Sequence, residues 1–401
     1  MSAPLALSPD GSTLWVVNPD AGSVTAVDTT TLRAAAPRPV GTEPWSIALT
    51  PSGDVVVANK ASGSLSILSD GRRTDLPVGA EPAGLALSPT GRYAFVALST
   101  SEAVAVVDLG RLEVLGPVSV GPWPWAIAVT DDGDADDLDE SVVVAHRLAR
   151  LSPGGAEGRD DGKEGWVTRV PLSDLAEAAA EHDHLPASAT TALIGPYEFG
   201  HANGLDGLAV YGERLYVAHL LNSPEFPRDF ETTVSAAITS VPLVGDPAGG
   251  GEGLRLHLND ESFSTPVNHP TGIAVSPDGL SLYVTLGGSD AVMGVDLSLE
   301  GGPRLIGFWP TGSNPRGIVL SPDGSRAYVL NYLSRDVSVL DLSDRVGRSE
   351  LARVPVVGET LPTAELRGKV LFHNASSARL SRLGWIACAT CHLGGGSDGT
   401  T

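Results

Sequence analysis

The stretch Ile318–Asn331, IVLSPDGSRAYVLN, decides the fold of this chain. Two apolar runs flank the tetrapeptide Ser321-Pro-Asp-Gly324. Proline presets φ, aspartate bonds its own backbone, and glycine accepts positive φ, so the tetrapeptide predicts a tight turn. The whole stretch therefore predicts two antiparallel β-strands joined by that turn.

The same pattern recurs along the chain. Clear copies lie at Leu5–Asn18, Leu85–Leu98 and Ile273–Leu286, a variant lies at Ile47–Asn59, and two copies without the turn lie at Ile127–His146 and Leu208–His219. A third alternating strand follows most copies, and a fourth usually ends in Val-Gly. Four short strands about every 40 residues are typical of a propeller blade. The sequence thus predicts an all-β, seven-bladed β-propeller over residues 1–358.

The ends of the second strands carry a family resemblance. Trp15-Val-Val-Asn18, Val56-Val-Ala-Asn59 and Tyr328-Val-Leu-Asn331 resemble the Tyr-Val-Thr-Asn signature of YVTN-family β-propellers. The resemblance covers about Leu5 to Gly358 and implies the propeller fold. Blades four and five depart from it, because His146 and His219 stand where the family has asparagine.

Long insertions interrupt blades four and five. They lie at residues 147–164, 171–203, 219–233 and 244–269, and the Ala-rich stretch Leu175–Glu181 of the second insertion predicts a helix. In a propeller, the loops after second strands and the links between blades open on one face, so we expect the insertions to crowd that face. Loops gathered on a rigid scaffold favour a place where a partner or substrate is received.

Composition excludes several classes of function. The chain has 401 residues, with 48 Asp and Glu against 26 Lys and Arg, and a formal net charge of −22. Such a chain is repelled by phosphate backbones and anionic lipids, so we expect no nucleic-acid partner. No apolar run reaches the roughly 20 residues of a membrane span. Only two cysteines occur, which excludes a disulfide scaffold.

Those two cysteines lie in one motif, Cys388-Ala-Thr-Cys391-His392. CxxCH is the spacing for haem c, in which two thiols attach to the haem and the adjacent imidazole becomes an axial iron ligand. Accident would supply such a match in roughly one chain of this length per thousand, by usage arithmetic. A thioredoxin-like dithiol, the other common use of CxxC, lacks its βαβ surroundings here. The sequence predicts covalent haem c on Cys388 and Cys391, with His392 as a ligand of the haem iron.

The surrounding segment adds a second resemblance. Leu361–Phe372 predicts a short amphipathic helix with Thr363 as N-cap, and ELRGKVLF…WIACATCHLGGGSDGT resembles the beginning of the di-haem cytochrome c peroxidase family. This resemblance covers about Pro362 to Thr401 and implies that residues 359–401 begin a c-type cytochrome domain. We expect this domain to be incomplete in the chain. The distal ligand is not identified; Met293 belongs to a predicted strand, and His373 suits an exposed helix cap better than a ligand.

A second candidate site is a group of histidines. The blade register places four histidines at the predicted channel mouth, with Trp45, Trp125 and Arg316 nearby. His146 and His219 are expected to end second strands, and His201 and His269 to precede first strands. Converging imidazoles suit an additional zinc or copper ion, or contact with substrate or the haem domain. Hydrogen bonding to loop carbonyls is the other interpretation. The acidic run Asp131–Glu140 resembles a calcium loop, but Asp137 stands where such a loop needs glycine, which favours a solvated loop.

Three hypotheses of function follow. The first is an exported redox protein, in which the haem domain transfers electrons or reduces peroxide as an oxidoreductase and the propeller docks a redox partner or a small-molecule substrate. The second is a non-catalytic propeller for envelope or surface interaction, and the third is a propeller enzyme acting at the histidine-rich mouth. Haem attachment implies a periplasmic or extracellular location. No signal peptide is visible after Met1, and we expect it to have been lost by truncation.

Overall fold

The computed structural model describes residues 2–181, 186, 188–195, 197–225, 233–243, 253–261, 266–298, 302–345, 347–377, 380–381 and 384–395. The chain forms two compact units. Unit 1 comprises Met1–Arg147 and Val167–Ala192, and unit 2 comprises Leu148–Trp166 and Leu193–Thr401.

The strands form seven antiparallel sheets, here called blades 1 to 7 in chain order. Blade 1 contains β1 (Leu5–Leu7), β2 (Thr13–Asn18), β3 (Ser23–Asp28), β4 (Arg33–Ala34) and β5 (Arg38–Pro39). Blade 2 contains β6 (Pro44–Leu49), β7 (Val55–Asn59), β8 (Ser64–Ser69) and β9 (Arg72–Pro77). Blade 3 contains β10 (Pro82–Leu87), β11 (Tyr93–Leu98), β12 (Ala103–Asp108) and β13 (Glu113–Ser119). Blade 4 contains β14 (Pro124–Val129), β15 (Ser141–His146), β16 (Arg150–Leu151), β17 (Lys163–Pro171) and β18 (Thr190–Ile194).

Blades 5 to 7 belong to unit 2. Blade 5 contains β19 (His201–Tyr211), β20 (Arg214–Asn222), β21 (Val234–Pro242) and β22 (Arg255–His257). Blade 6 contains β23 (Pro270–Val275), β24 (Ser281–Leu286), β25 (Ala291–Asp296) and β26 (Arg304–Pro310). Blade 7 contains β27 (Pro315–Leu320), β28 (Arg326–Asn331), β29 (Asp336–Asp341) and β30 (Glu350–Pro355). The helices are α1 (Leu172–Glu181), α2 (Leu258–Glu261), α3 (Thr363–His373) and α4 (Cys388–Cys391), with 3-10 turns at Pro19–Ala21 and Leu393–Gly395.

The repeat predicted the seven blades, but some strand bounds differ. From blade 2 onward the first strands begin three or more residues earlier than expected, because a bulge extends the pairing to the residues before the apolar run. The largest difference is β19, which begins at His201 and has its bulge between Asn203 and Gly207. Two predictions are therefore wrong: His201 begins a strand instead of preceding one, and His219 lies three residues before the end of β20.

The Ser-Pro-Asp-Gly turns form as predicted. In blade 7, Asp323 Oδ1 accepts hydrogen bonds from Ser321 Oγ at 2.5 Å and from the Ser325 amide at 3.0 Å. Gly324 has φ +69°, in the left-handed region that suits glycine. Hydrogen bonds from Ser321 and Ser325 lower the pKa of Asp323 to about 2, so this carboxylate stays ionised and keeps its acceptor role at ordinary pH.

The core of each unit is made of apolar side chains shared by neighbouring blades. In unit 1, blades 3 and 4 bury Phe95 and Val144 in one cluster, which Leu172 and Leu175 of α1 complete. In unit 2, Trp309 of blade 6 is fully buried beside blade 7, and its Nε1 donates to the Asp341 carbonyl at 2.8 Å. Helix α1 confirms the helical insertion expected after blade 4.

The C-terminal segment after blade 7 is helical, with two corrections. Helix α3 begins at Thr363, so Pro362 is its N-cap residue and Thr363 is not. His373 is buried, contrary to the exposed cap that we expected. In the described part of residues 359–395 the regular elements are α3, α4 and one 3-10 turn. These short helices do not by themselves make a cytochrome c fold, and the boundary at residue 358 stays a prediction.

A helix with the length and apolar character of a membrane span does not occur among the described residues.

Candidate functional site

The CxxCH motif lies on α4, a single helical turn of unit 2. The His392 amide donates to the Cys388 carbonyl at 2.9 Å, which places His392 at the C-cap of this turn. Cys388 and His392 are exposed and Cys391 is half-buried. The cysteines are not joined in a disulfide. The turn therefore carries two thiols and an imidazole within five consecutive residues.

This donor set fits haem c. Covalent attachment needs reduced thiols at CxxC spacing and an imidazole next to the second thiol, and Cys388, Cys391 and His392 supply these. Cys388 and His392 are both exposed, so both side chains are accessible to a bulky group.

The far side of the turn packs against blades 5 and 6. Leu393 forms an apolar cluster with Leu220 and Val234 of blade 5, and Cys391 packs against it. Thr390 is buried, and its Oγ1 donates to Asn268 Oδ1 at 2.7 Å just before blade 6. These contacts explain why one face of α4 is covered and the other is exposed.

Met293, which the sequence assigns to a strand, and His373, which it assigns to a helix end, both lie in unit 2. Met293 is fully buried within β25 in the cluster between blades 5 and 6. His373 ends α3 and lies beside Asp290 and Asn314. Burial, with smaller contributions from nearby Arg316 and other cationic groups, lowers the pKa of His373 to about 3. Its ring is thus neutral at physiological pH.

His146 and His219 fill corresponding places in blades 4 and 5, and both are fully buried. His146 Nδ1 lies 2.7 Å from the Pro122 carbonyl and its Nε2 lies 3.0 Å from Thr168 Oγ1. Because a carbonyl only accepts, Nδ1 carries the proton, and in the neutral ring Nε2 then accepts from the threonine hydroxyl. The metal-binding lone pair of this ring is therefore engaged.

His219 has the same arrangement with one more partner. Its Nδ1 lies 2.8 Å from the Leu220 carbonyl, and its Nε2 lies 2.9 Å from both Thr239 Oγ1 and Tyr197 Oη. Tyr197 Oη also contacts Thr239 Oγ1. Burial lowers the pKa of His219 to about 4 and raises that of Tyr197 to about 12, so both groups are neutral. His219 thus belongs to a buried network of neutral groups.

The other two histidines have separate surroundings. His269 Nε2 lies 3.0 Å from Asp206 Oδ2, and both side chains are buried. His201 is buried at the start of β19, and burial lowers its pKa while a hydrogen bond with the Asp160 backbone opposes that shift.

The described contacts give each of the four histidines its own protein partner. The additional metal site at His146, His201, His219 and His269 stays a prediction, and these contacts favour the structural interpretation. Trp45 and Trp125 of unit 1 pack edge to face at 5.7 Å, with the Arg147 guanidinium 3.8 Å from the Trp125 ring centroid. These three side chains form one aromatic and cationic cluster in unit 1. That Trp45 and Trp125 line the channel mouth with Arg316 stays a prediction.

The acidic loop of blade 4 is mostly exposed. Asp132, Asp134 and Asp136 each accept a hydrogen bond from the amide two residues later, at 2.7 to 3.1 Å. Carboxylate oxygens of Asp132, Asp139 and Glu140 lie within 4.8 Å of one another, a different set from the one the calcium-loop pattern uses. Glu140 is buried and accepts from the Asp132 amide at 2.7 Å. The carboxylates therefore serve the loop's own backbone.

Sequence reasoning missed Asn268 and Tyr197. Both lie in links between blades, where the repeat offers no template, and each contacts its partners over a long sequence separation. The only available signal for Asn268 is its position beside His269, directly before a first strand.

Comparison with known proteins supports the fold. Residues 255–377 match a family model described as lactonase, 7-bladed beta-propeller. No curated protein matches the sequence. Among solved structures, hydrazine synthase from Kuenenia stuttgartiensis is 23% identical, with a TM-score of 0.68, and the match covers 85% of this chain and 96% of that one.

Two other solved structures are more distant. Virginiamycin B lyase from Staphylococcus aureus is 12% identical with a TM-score of 0.53, covering 82% of this chain and 90% of that one. A functionally unknown protein from Desulfotomaculum acetoxidans is 13% identical with a TM-score of 0.55, covering 85% and 94%. At these identities the likeness shows the fold alone. With seven blades and a lactonase-type match in residues 255–377, the chain is a seven-bladed β-propeller.

Proposed function

We propose that this protein is an exported redox protein that carries haem c on Cys388 and Cys391, with His392 as an axial ligand of the iron. The observation that carries the proposal is the presentation of the motif: Cys388 and His392 are exposed on a turn whose other face is buried. When bound, haem c supplies an iron that changes between ferrous and ferric states. The protein's own part is to hold the thiols and the imidazole at one fixed place.

The propeller serves in this proposal as the platform that holds the haem-binding turn and receives a redox partner or a small-molecule substrate. Leu220 and Val234 of blade 5 and Asn268 of the blade 5–6 link contact the motif's buried face. The proposed reaction is electron transfer. The alternative is reduction of peroxide, which the resemblance to the di-haem cytochrome c peroxidase family suggests. Covalent attachment of haem c places the protein in the periplasm or outside the cell.

The test is production of the chain with an export signal in cells that also express a haem-ligation system. We expect haem absorbance to remain with the polypeptide after denaturation and organic extraction. Cys388→Ala/Cys391→Ala should lose it, while Asn331→Ala, which alters a buried blade 7 residue, should keep it. If the folded wild type carries no covalent haem while a c-type cytochrome produced in parallel does, the proposal is wrong.

A second measurement separates the two reactions. The reduced haem protein is mixed with hydrogen peroxide or with an oxidised c-type cytochrome, and reoxidation is followed by absorbance. Rapid reoxidation by the cytochrome alone assigns electron transfer, and rapid reoxidation by peroxide assigns peroxide reduction. Reoxidation by neither contradicts both roles.

A further inference from the structure

Asn268 has both ends of its side chain directed to the C-terminal segment. Its Oδ1 accepts from Thr390 Oγ1 at 2.7 Å, and its Nδ2 donates to the Trp385 carbonyl. The residue is 2% exposed. A buried carboxamide is costly to leave without partners, so this pair of contacts is a specific attachment. The contacts link the residues before blade 6 to the turn that carries the cysteines.

Thr390 connects Asn268 to the CxxCH turn. It is the residue before Cys391 and is 2% exposed. Its hydroxyl donates to Asn268 and accepts from the Ala387 amide at 3.1 Å, at the start of α4. One hydroxyl therefore fixes both the beginning of the helical turn and its position on the propeller.

The backbone around Asn268 is held as well. The Asn268 amide donates to Ser289 Oγ at 2.9 Å, and its carbonyl accepts from the Gly288 amide at 3.2 Å. A Cβ on Gly288 would lie 2.4 Å from Asn268 Oδ1, so only glycine leaves room for this side chain. The Gly288 carbonyl accepts from the Ala375 amide at 3.0 Å, which gives the segment a second point of attachment.

We propose that Asn268 is a positioning residue for haem attachment: with Thr390 it holds α4 against blade 6 so that Cys388 and His392 face outward and Cys391 is half-buried. The part that concerns haem rests on the proposed function. The clamp itself, Asn268 with Thr390 and the Trp385 carbonyl, is a property of the protein without haem. The clamp and its role in haem attachment are therefore tested separately.

The first experiment uses the haem-free protein. In a Cys388→Ser background, the alkylation rate of Cys391 by iodoacetamide reports opening of the clamp. We expect Asn268→Ala to raise this rate about tenfold, because losing a buried hydrogen-bond partner raises the population of the open form by that order. Thr390→Val should do the same, and Thr390→Ser, which keeps the hydroxyl, should stay near the wild-type rate.

Asn331→Ala is the matched control, since it removes a buried asparagine of blade 7 that donates to Asp336 and Ser338 and does not touch the segment. It should leave the Cys391 rate within about twofold of wild type. Equal increases in Asn268→Ala and Asn331→Ala would mean general loosening and would overturn the clamp. An unchanged rate in Asn268→Ala would overturn it as well.

The second experiment uses the haem protein. We expect Asn268→Ala to lower the yield of covalent haem and to lower the midpoint potential, because a loosened turn admits more water around the iron ligand. Asn331→Ala should leave the potential unchanged. If the wild type carries no haem, the proposed function fails while the alkylation result still decides the clamp. If haem is attached and its potential is identical in Asn268→Ala, positioning of the haem site by Asn268 is refuted.

Discussion

Blades 1, 2 and 7 use a buried asparagine near the end of the second strand to hydrogen-bond a hydroxyl of the third strand. Blades 4 and 5 use a buried histidine at the same place. In the first group the carboxamides of Asn18, Asn59 and Asn331 donate to hydroxyls on the third strand at 2.8 to 2.9 Å. In the second group, Nε2 of His146 and of His219 meets a threonine hydroxyl at 3.0 and 2.9 Å. In all five blades, the hydroxyl residue stands opposite a valine two places before the asparagine or histidine.

Blades 3 and 6 complete the comparison, since they have no polar group at either place. Leu98 and Leu286 replace the asparagine, and Ala105 and Met293 replace the hydroxyl residue. The two positions are thus either both polar or both apolar. This is expected because burying a polar group without a hydrogen-bond partner costs free energy. His146 and His219 therefore fill the structural role that asparagine fills in blades 1, 2 and 7. Histidine differs from asparagine in being larger and in being able to take up a proton.

The largest expected effect is on the histidine blades. His219→Ala removes contacts to Leu220, Thr239 and Tyr197 and leaves a buried cavity. We expect it to lower the free energy of unfolding by about 3–5 kcal/mol, from the cavity and the hydrogen bonds lost with the imidazole together. Urea denaturation followed by circular dichroism measures this. A loss below that of Asn331→Ala would contradict the equivalence of the histidine and asparagine positions.

The second effect is the pH dependence of stability that the buried His219 adds. The pKa of His219 is about 4 in the folded protein and 6.5 in the unfolded chain. As pH falls below about 6.5, the unfolded chain binds the proton first, so stability is complete above that pH and declines towards pH 4. The decline attributable to His219 is at most about 3 kcal/mol. Urea titrations at pH 7 and pH 5 should show a smaller difference in His219→Gln than in wild type; equal differences would refute this.

Asparagine substitution should cost less. Asn331→Ala leaves Asp336 and Ser338 without the carboxamide they share, at 2.7 and 2.8 Å. We expect a loss of about 1–3 kcal/mol of unfolding free energy at pH 7. The triple variant Asn331→Leu/Asp336→Ala/Ser338→Ala, which copies Leu98, Ala103 and Ala105 of blade 3, should recover part of that loss. No recovery would mean that the pairing of polar positions is not the cause.

The smallest effect is expected when asparagine replaces histidine at the end of a second strand. His146→Asn should keep a bond to Thr168 Oγ1 and lose the bond to the Pro122 carbonyl, at a cost of about 1 kcal/mol. Thermal unfolding compares this variant with His146→Leu, which keeps neither bond and should be less stable. If His146→Asn is the less stable of the two, asparagine and histidine are not interchangeable at this place.

Much of the fold was predictable because each blade repeats a local pattern. The Ser-Pro-Asp-Gly turn and the alternating strand are encoded within about 14 residues, so the hairpins and the number of blades follow from the sequence. The bulges before the first strands were not predictable, since they depend on pairing with residues far along the chain. The threonine partners of His146 and His219 were not predictable either, because they are visible only with the strand register.

The sequence by itself determined the seven-blade repeat and the CxxCH spacing, because both are patterns of neighbouring residues. Tertiary structure alone decided that His373 is buried, that Tyr197 joins His219, and that Asn268 contacts Thr390 over more than a hundred residues. Such contacts arise when distant segments meet, and their free energy depends on burial and geometry that no local pattern contains. The cysteines are thus specified locally, while their presentation on blades 5 and 6 is a property of the folded chain.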